Sequence, residues 1–255
     1  MDLYARRLWQ TRGYPGRDYL KRRGISDRTA REHRLGYCDG DDLSDLVAEL
    51  RRRHIPAQAA LDIGLIAGKT GKERFVQRIT IPEIRGGQVR WLTGRHLQDV
   101  DNKYLNVYGP RHLLGADALY DRGEILGDEG PLNWLTLRQW GLPAFSFVGG
   151  TMPDEGYQWL TAAGRVYLPF QRDLPGWTAA RRLAPILDAQ VELLCLPAEW
   201  RGRRIKDVND LIRDGFDDAA GYRCFTACGR AAIPWHERYL AMDFQDLPIL
   251  LPAAR

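Results

Sequence analysis

No apolar run in these 255 residues approaches the roughly 20 needed to cross a bilayer, so a membrane-spanning helix is not expected and no membrane partner is called for. The first ten residues, MDLYARRLWQ, lack the apolar core of a secretory signal, which makes a cytoplasmic location the expectation. Cysteine is scarce. Four in a chain of this length do not make a disulfide scaffold. Cys224 and Cys228 form a C-x3-C pair with His236 downstream, but a fourth ligand at metal-site spacing is missing. They read as a zinc half-site or as two ordinary reduced thiols, and no zinc is expected. No internal repeat, low-complexity tract or long linker interrupts the chain, so nothing points to a repeat architecture.

Hydrophobic residues make up 44% and charged residues 27%, ordinary for a folded chain that forms one large domain or two small ones. The net charge of +4 is unevenly spread. Residues 1–118 carry 22 Lys and Arg against 15 Asp and Glu; residues 119–255 carry 15 against 18. A basic half suits a polyanion and an acidic half suits cations, although two solvated faces would give the same counts.

Residues 2–35 read as short helices, with Gly24 as a stop and Ser26-Asp27 capping the next segment. Leu43, Leu46, Val47 and Leu50 recur at helical spacing, predicting an amphipathic helix over 42–53, and Pro56 starts another. From Phe75 the period shortens. "RFVQRITIPEI" and "QVRWLTGRHL", separated by "RGG", predict a hairpin carrying Arg78, Arg90 and Arg95. "DNKYLNV" follows at 101–107. Trp91 is placed equally well for stacking on a base or for packing on the hairpin face, and Arg78 and Arg90 for phosphates or for cross-strand acids.

From about Leu119 the pattern is β-α repeats: strands over 124–127, 144–148, 166–170 and 191–196, and helices over 132–140, 154–163 and 178–187, with a short one opening at Asn209. That alternation predicts a mostly parallel sheet covered by helices, so the fold class expected for the whole chain is α+β. Ligands of such sheets bind beyond the carboxyl ends of the strands. There the sequence has Asp128 and Glu129, then "VGGT", then Asp173, then "KDVND" with Asp207 and Asp210. Carboxylates from separate segments repel unless cations sit among them, and oxygen ligands of this kind suit magnesium or manganese. Each acid alone is equally a helix cap. The segment after Phe216 is weakly patterned.

The succession Glu129-Gly130, "FVGGT", Asp173 with Gly176, and "KDVND" resembles a TOPRIM domain, the fold of primases, topoisomerases and some nucleases. "YLKRRGIS", "HRLGY", "RITIPEIRGGQVRWLTGR", "NKYLN" and "LLGADAL" upstream resemble the catalytic core of DnaG-type and phage-type primases, in order over about residues 19–215. The resemblance implies a basic N-terminal subdomain over 1–118, a TOPRIM domain over 119–215 and a tail over 216–255. It implies Arg78, Arg95, Lys103, Tyr104 and Asn106 as nucleic-acid and nucleotide contacts, with Lys103 also steadying phosphates in catalysis. Glu129, Asp173 and Asp207 are implied as catalytic, and Glu129, Asp173, Asp207 and Asp210 as ligands of Mg2+ or Mn2+, with Gln171 in a ligand position. Single-stranded DNA, nucleoside triphosphates and a replicative helicase or other replication protein are the implied partners.

Three departures stand out. Asn133 occupies the position of a family aspartate, and Gln171-Arg172-Asp173 replaces an Asp-x-Asp. No zinc-binding domain is expected before the core and no sizeable helicase or helicase-binding domain after it. Asn209 also stands where many relatives have an acid. Asn133 and Gln171 keep oxygen acceptors but each removes one negative charge. Three readings follow: a minimal primase making short RNA primers by metal-dependent nucleotidyl transfer, a primase-derived DNA-binding or assembly subunit without catalysis, and a TOPRIM nuclease. The basic hairpin matches the primase side of the superfamily.

Overall fold

The computed structural model describes residues 1–40, 43–121, 123–148, 156, 164–170, 174–187, 191–235, 239 and 242. The helix expected over 154–163, the glycines at 149–150, the 171–173 triplet with Gln171 and Asp173, and His236 lie outside the described residues. Two compact units form, one of Met1–Lys21 with Ser26–His112, the other of Arg22–Ile25 with Leu113–Arg255.

In the first unit, helix α1 (Asp2–Trp9) buries Leu3, Tyr4, Arg7 and Leu8. After α2 (Tyr14–Arg22), the Ser26 hydroxyl accepts the Thr29 N–H at 3.1 Å and starts α3 (Asp27–Glu32), the cap its sequence predicts. Helices α4 (Ser44–Arg52) and α5 (Ala57–Asp62) follow. Strands β1 (Gly36–Cys38), β2 (Arg78–Arg85), β3 (Gln88–His96) and β4 (Tyr104–Asn106) form an antiparallel sheet in that order. The β2–β3 turn is Gly86-Gly87, φ +55° and +75°. A two-residue turn of this hand matches the strand twist and needs positive φ twice, which the "RGG" signal supplies. Tyr4, Cys38, Phe75 and Leu92 form one core cluster, and Leu3, Leu46, Leu50, Ala60 and Ile66 another. Trp91 is 3% exposed and stands opposite Glu83 in the hairpin, so its ring packs.

A fully buried charge crosses the first of these clusters. Arg7, 0% exposed, donates through Nη1 to both Glu73 oxygens at 2.8 and 2.9 Å, and the Cys38 thiol donates to Glu73 Oε2 at 2.9 Å. Asp39 lies 3.7 Å from the same Nη1 and 3.4 Å from Arg12.

The second unit holds β5 (Glu124–Asp128), β6 (Ala144–Ser146), β7 (Arg165–Phe170), β8 (Val191–Cys195) and β11 (Ile233–Pro234), ordered β11-β8-β7-β5-β6. The β6, β5, β7 and β8 pairings are parallel and β11 is an antiparallel edge. Helices α6 (Pro131–Gln139) and α7 (Leu174–Leu187) follow β5 and β7. Between β8 and the 3-10 turn Val208–Leu211 stands a two-stranded hairpin, β9 (Glu199–Trp200) and β10 (Arg203–Arg204). Helix α8 (Asp218–Arg230), capped by the Asp217 carboxylate on the Ala219 N–H, occupies the weakly patterned segment. Ile125, Phe145, Val166, Leu168, Trp177 and Leu193 belong to one core. Four parallel strands with β-branched and aromatic interiors match the α+β expectation. Among the described residues no helix is long and apolar enough to cross a membrane.

Candidate functional site

β5 delivers Asp128 to the carboxyl edge of the parallel sheet, and Gly130 then caps α6, with Pro131 in its first turn. Asp128 is buried. Its Oδ1 accepts the Gly130 N–H at 2.7 Å and the Asn133 Nδ2–H at 2.8 Å. Asn133 faces back toward the chain after β10, its Oδ1 accepting the Asn209 N–H at 3.1 Å. Asn209, 0% exposed, donates from Nδ2 to the Arg23 carbonyl at 2.8 Å and the Thr136 hydroxyl at 3.0 Å. Arg23 belongs to this unit because 22–25 pack on it: a Cβ at Gly24, φ +70°, would come within 2.4 Å of the Ile212 carbonyl oxygen.

The predicted acids take different roles. Glu129 is exposed. Asp207 caps the 3-10 turn, accepting the Asp210 N–H through Oδ1 at 3.1 Å. Asp210 is committed twice: Oδ2 accepts the Lys206 N–H at 2.8 Å, and Oδ1 lies 3.0 Å from Arg213 Nε. Asp173 and Gln171 lie outside the described residues. Burial, with the charges of Asp207 and Glu129 adding, pushes Asp128 up to about 7 against the bonds from Gly130 and Asn133. Burial and then Asp210 push Asp207 up to about 6, opposed by the Asp210 N–H, Arg23 and Arg213. Among the described residues no three His, Cys, Asp or Glu are grouped as metal ligands. The donor set still suits a hard cation: among the described residues neither Glu129 nor the second Asp207 oxygen has a hydrogen-bond or ion-pair partner, and neighbouring carboxylates are relieved by positive charge.

A pH effect follows. Raised carboxyl pKa values mean that the folded state holds protons the unfolded chain releases near 4. The stability this provides is complete below about 4 and is lost as pH rises through about 6 and 7. In cation-free buffer the wild-type chain is expected to lose stability between pH 4 and 7.5. Asp128→Asn, which keeps the Oδ1 acceptor, should flatten that slope by up to about 4 kcal/mol. Urea titrations at the two pH values check it, and equal slopes would overturn it.

On the antiparallel sheet, Arg95 stands opposite Tyr104, which with Asn106 shares its face. Arg78 stands opposite His96 on the other face. Arg78 donates to the Val76 and Asn102 carbonyls at 3.0 and 3.1 Å. Arg95 is 4% exposed, its guanidinium 5.9 Å from the Tyr19 ring and 5.5 Å from the Tyr104 ring. Lys103 is exposed, with Nζ 2.7 Å from Asp99. Asn106 Oδ1 is buried and has no hydrogen-bond partner among the described residues. The expected contacts thus separate into a packed Arg95–Tyr104 pair, an Arg78 bonded to backbone and an accessible Lys103. Cys224 and Cys228 lie one helical turn apart on α8, with His236 outside the described residues.

Asp128 is the residue of this edge that strand-end reasoning names without assigning it a role. Its position as the last residue of β5 was the available signal; its bond to Asn133 was not readable from spacing.

Residues 3–121 match the family described as DNA primase catalytic core, N-terminal domain. The DNA primase of Thermotoga maritima is 28% identical over 193 residues, which cover 70% of this chain and 34% of that protein. The chain spans about a third of the length of the curated relatives it matches. Its fold is similar to the zinc-binding and RNA polymerase domains of the Aquifex aeolicus primase, with a TM-score of 0.72 at 21% identity, over 92% of this chain and 59% of that one. It is also similar to a DnaG primase catalytic domain bound to single-stranded DNA, with a TM-score of 0.65 at 22% identity, over 91% and 78%.

Proposed function

We infer that this chain, which belongs with the DnaG-type DNA primases, is a polymerising core that binds single-stranded DNA and joins ribonucleotides into short primers. The observation that carries this reading is Asp128, buried at the carboxyl end of β5 with the charges of Asp207 and Glu129 acting on it, while Asp207 is itself raised by burial and then by Asp210. Such an edge would suit the TOPRIM arrangement that the sequence resembles. A bound magnesium or manganese ion would supply charge neutralisation for the attacking and leaving oxygens of phosphoryl transfer.

Glu129 and Asp207 would hold the ion, with Asp173 and Gln171 as further ligands. Asp210, already bonded to the Lys206 N–H and paired with Arg213, would position the Asp207 segment. Lys103 would steady phosphates, with Tyr104 and Asn106 beside it on β4. Arg95 would act through Tyr104, since its guanidinium is packed. Nucleoside triphosphates are the proposed substrates, and a replicative helicase or other replication protein a partner. A cytoplasmic replication module of phage or mobile-element type fits these features.

One observation favours a second reading, a DNA-binding or assembly subunit without catalysis. Asn133 and Asn209, at positions where acids are expected, are both consumed in a buried hydrogen-bond network. Primer synthesis on single-stranded DNA with magnesium or manganese separates the two. Wild-type chain should extend primers, and Gln171→Asp should raise the yield severalfold at limiting metal. Activity only in Gln171→Asp would establish the second reading, and no activity in either would remove catalysis from the proposal.

A further inference from the structure

The chain from residue 119 carries 15 Lys and Arg against 18 Asp and Glu, yet four of those cations fall within six positions: Arg201, Arg203, Arg204 and Lys206. They ride on the β9–β10 hairpin. Arg203 stands opposite Trp200 and Arg204 opposite Glu199, and the Ile205 N–H closes the base on the Ala198 carbonyl at 3.0 Å. The turn is Arg201-Gly202, φ +50° and +73°. A turn of this hand prefers Asn, Asp or Gly at both places. Arginine at its first position costs on the order of 1 kcal/mol, and sets a cation at the tip of the ribbon.

So short a ribbon is not stable alone, and its bracing is specific. The Trp200 ring meets Phe216 edge-on at 5.3 Å. The Arg203 guanidinium lies 4.5 Å from the Phe216 ring and 3.0 Å from Asp214 Oδ2. Ile205 is buried beneath. Arg203 is therefore engaged in holding the ribbon. Arg201, Arg204 and Lys206 are exposed and, among the described residues, have no carboxylate within ion-pair distance, Glu199 included. Arg201 lies 4.8 Å from the half-buried Trp200 ring. The ribbon runs directly through Lys206 into Asp207 at the acidic edge.

We propose that the 199–206 ribbon is a contact for single-stranded nucleic acid, taking phosphates on Arg201, Arg204 and Lys206 and a base against Trp200. Three exposed cations strung along a short ribbon suit the repeating phosphates of a polyanion better than a compact triphosphate. An aromatic ring beside them favours an unpaired strand. The inference rests on the primase reading for the nature of the polymer and adds to it a second contact on the acidic unit.

Fluorescence anisotropy of a labelled oligothymidylate with the full chain tests it, across a salt series. The variant Arg201→Ala/Arg204→Ala/Lys206→Ala should melt like wild type, bind about tenfold or more weakly, and show a log–log salt slope shallower by about 2, from ~0.7 per single-strand phosphate. Affinity and slope equal to wild type would overturn the proposal, as would a loss confined to duplex DNA. Lys103→Ala run alongside separates the two ideas. A weakened Lys103 variant with an unchanged triple variant sinks the ribbon alone. The opposite pattern supports the ribbon and counts against the basic sheet. A wild-type chain that binds no single strand overturns both.

Discussion

Glu129→Gln is expected to lower primer synthesis by about two orders of magnitude, while thermal melting stays that of the wild type. Removing a carboxylate from a divalent-metal site takes away ~3 kcal/mol of charge stabilisation, and each 1.4 kcal/mol is a factor of ten in rate. Glutamine keeps the size of the side chain and one oxygen acceptor, so the loss measures charge. Glu129 is exposed, and its side chain supports no packing. The comparison with Asp210 sharpens the test. Asp210→Asn should lose stability first, because Arg213 and the Lys206 N–H both bond to it. Wild-type yields from Glu129→Gln at several metal concentrations would remove this residue from the proposed metal site.

Arg7→Met should destabilise the first unit by about 3–5 kcal/mol, the cost of leaving a buried carboxylate without its partner. Glu73 is buried and receives two bonds from Arg7. With the guanidinium gone, the Cys38 thiol still donates to it, and a thiol is a weak donor. The double variant Arg7→Met/Glu73→Met should recover most of the loss, since replacing a buried pair with apolar groups of similar volume is often neutral. Asp39 keeps Arg12 at 3.4 Å in either case. Urea denaturation of the singles and the double gives the coupling. Additive losses would mean that Arg7 and Glu73 act independently.

What could be read from the chain divides along a physical line. The hairpin was readable because its signals are local: an apolar period of two on either side of Gly86-Gly87, with glycines where the turn needs positive φ. The parallel sheet was readable from alternating strands and helices, and its carboxyl edge from polar residues after each strand. The charge asymmetry was a matter of counting. The β9–β10 ribbon was not visible, because strands of two residues carry no period and its bracing ring, Phe216, lies 16 positions beyond Trp200. Helix α8 carried too weak a pattern to announce itself.

The candidate site divides in the same way. Composition and order placed Glu129, Asp207 and Asp210 at strand ends, but only the tertiary structure distinguished an uncommitted Glu129 from an Asp210 held by Arg213. Asn133 read as a lost charge. In the fold it bridges Asp128 and the Asn209 N–H across 76 residues of sequence. Arg95 read as a phosphate contact and is packed between two tyrosines. Local periodicity and turn chemistry act within a few residues, so the sequence by itself determined the β2–β3 hairpin with its glycine turn and the strands of the parallel sheet. Which charges stay free depends on partners brought together from distant segments, and burial sets how strongly each is held; that was decided by the tertiary structure alone.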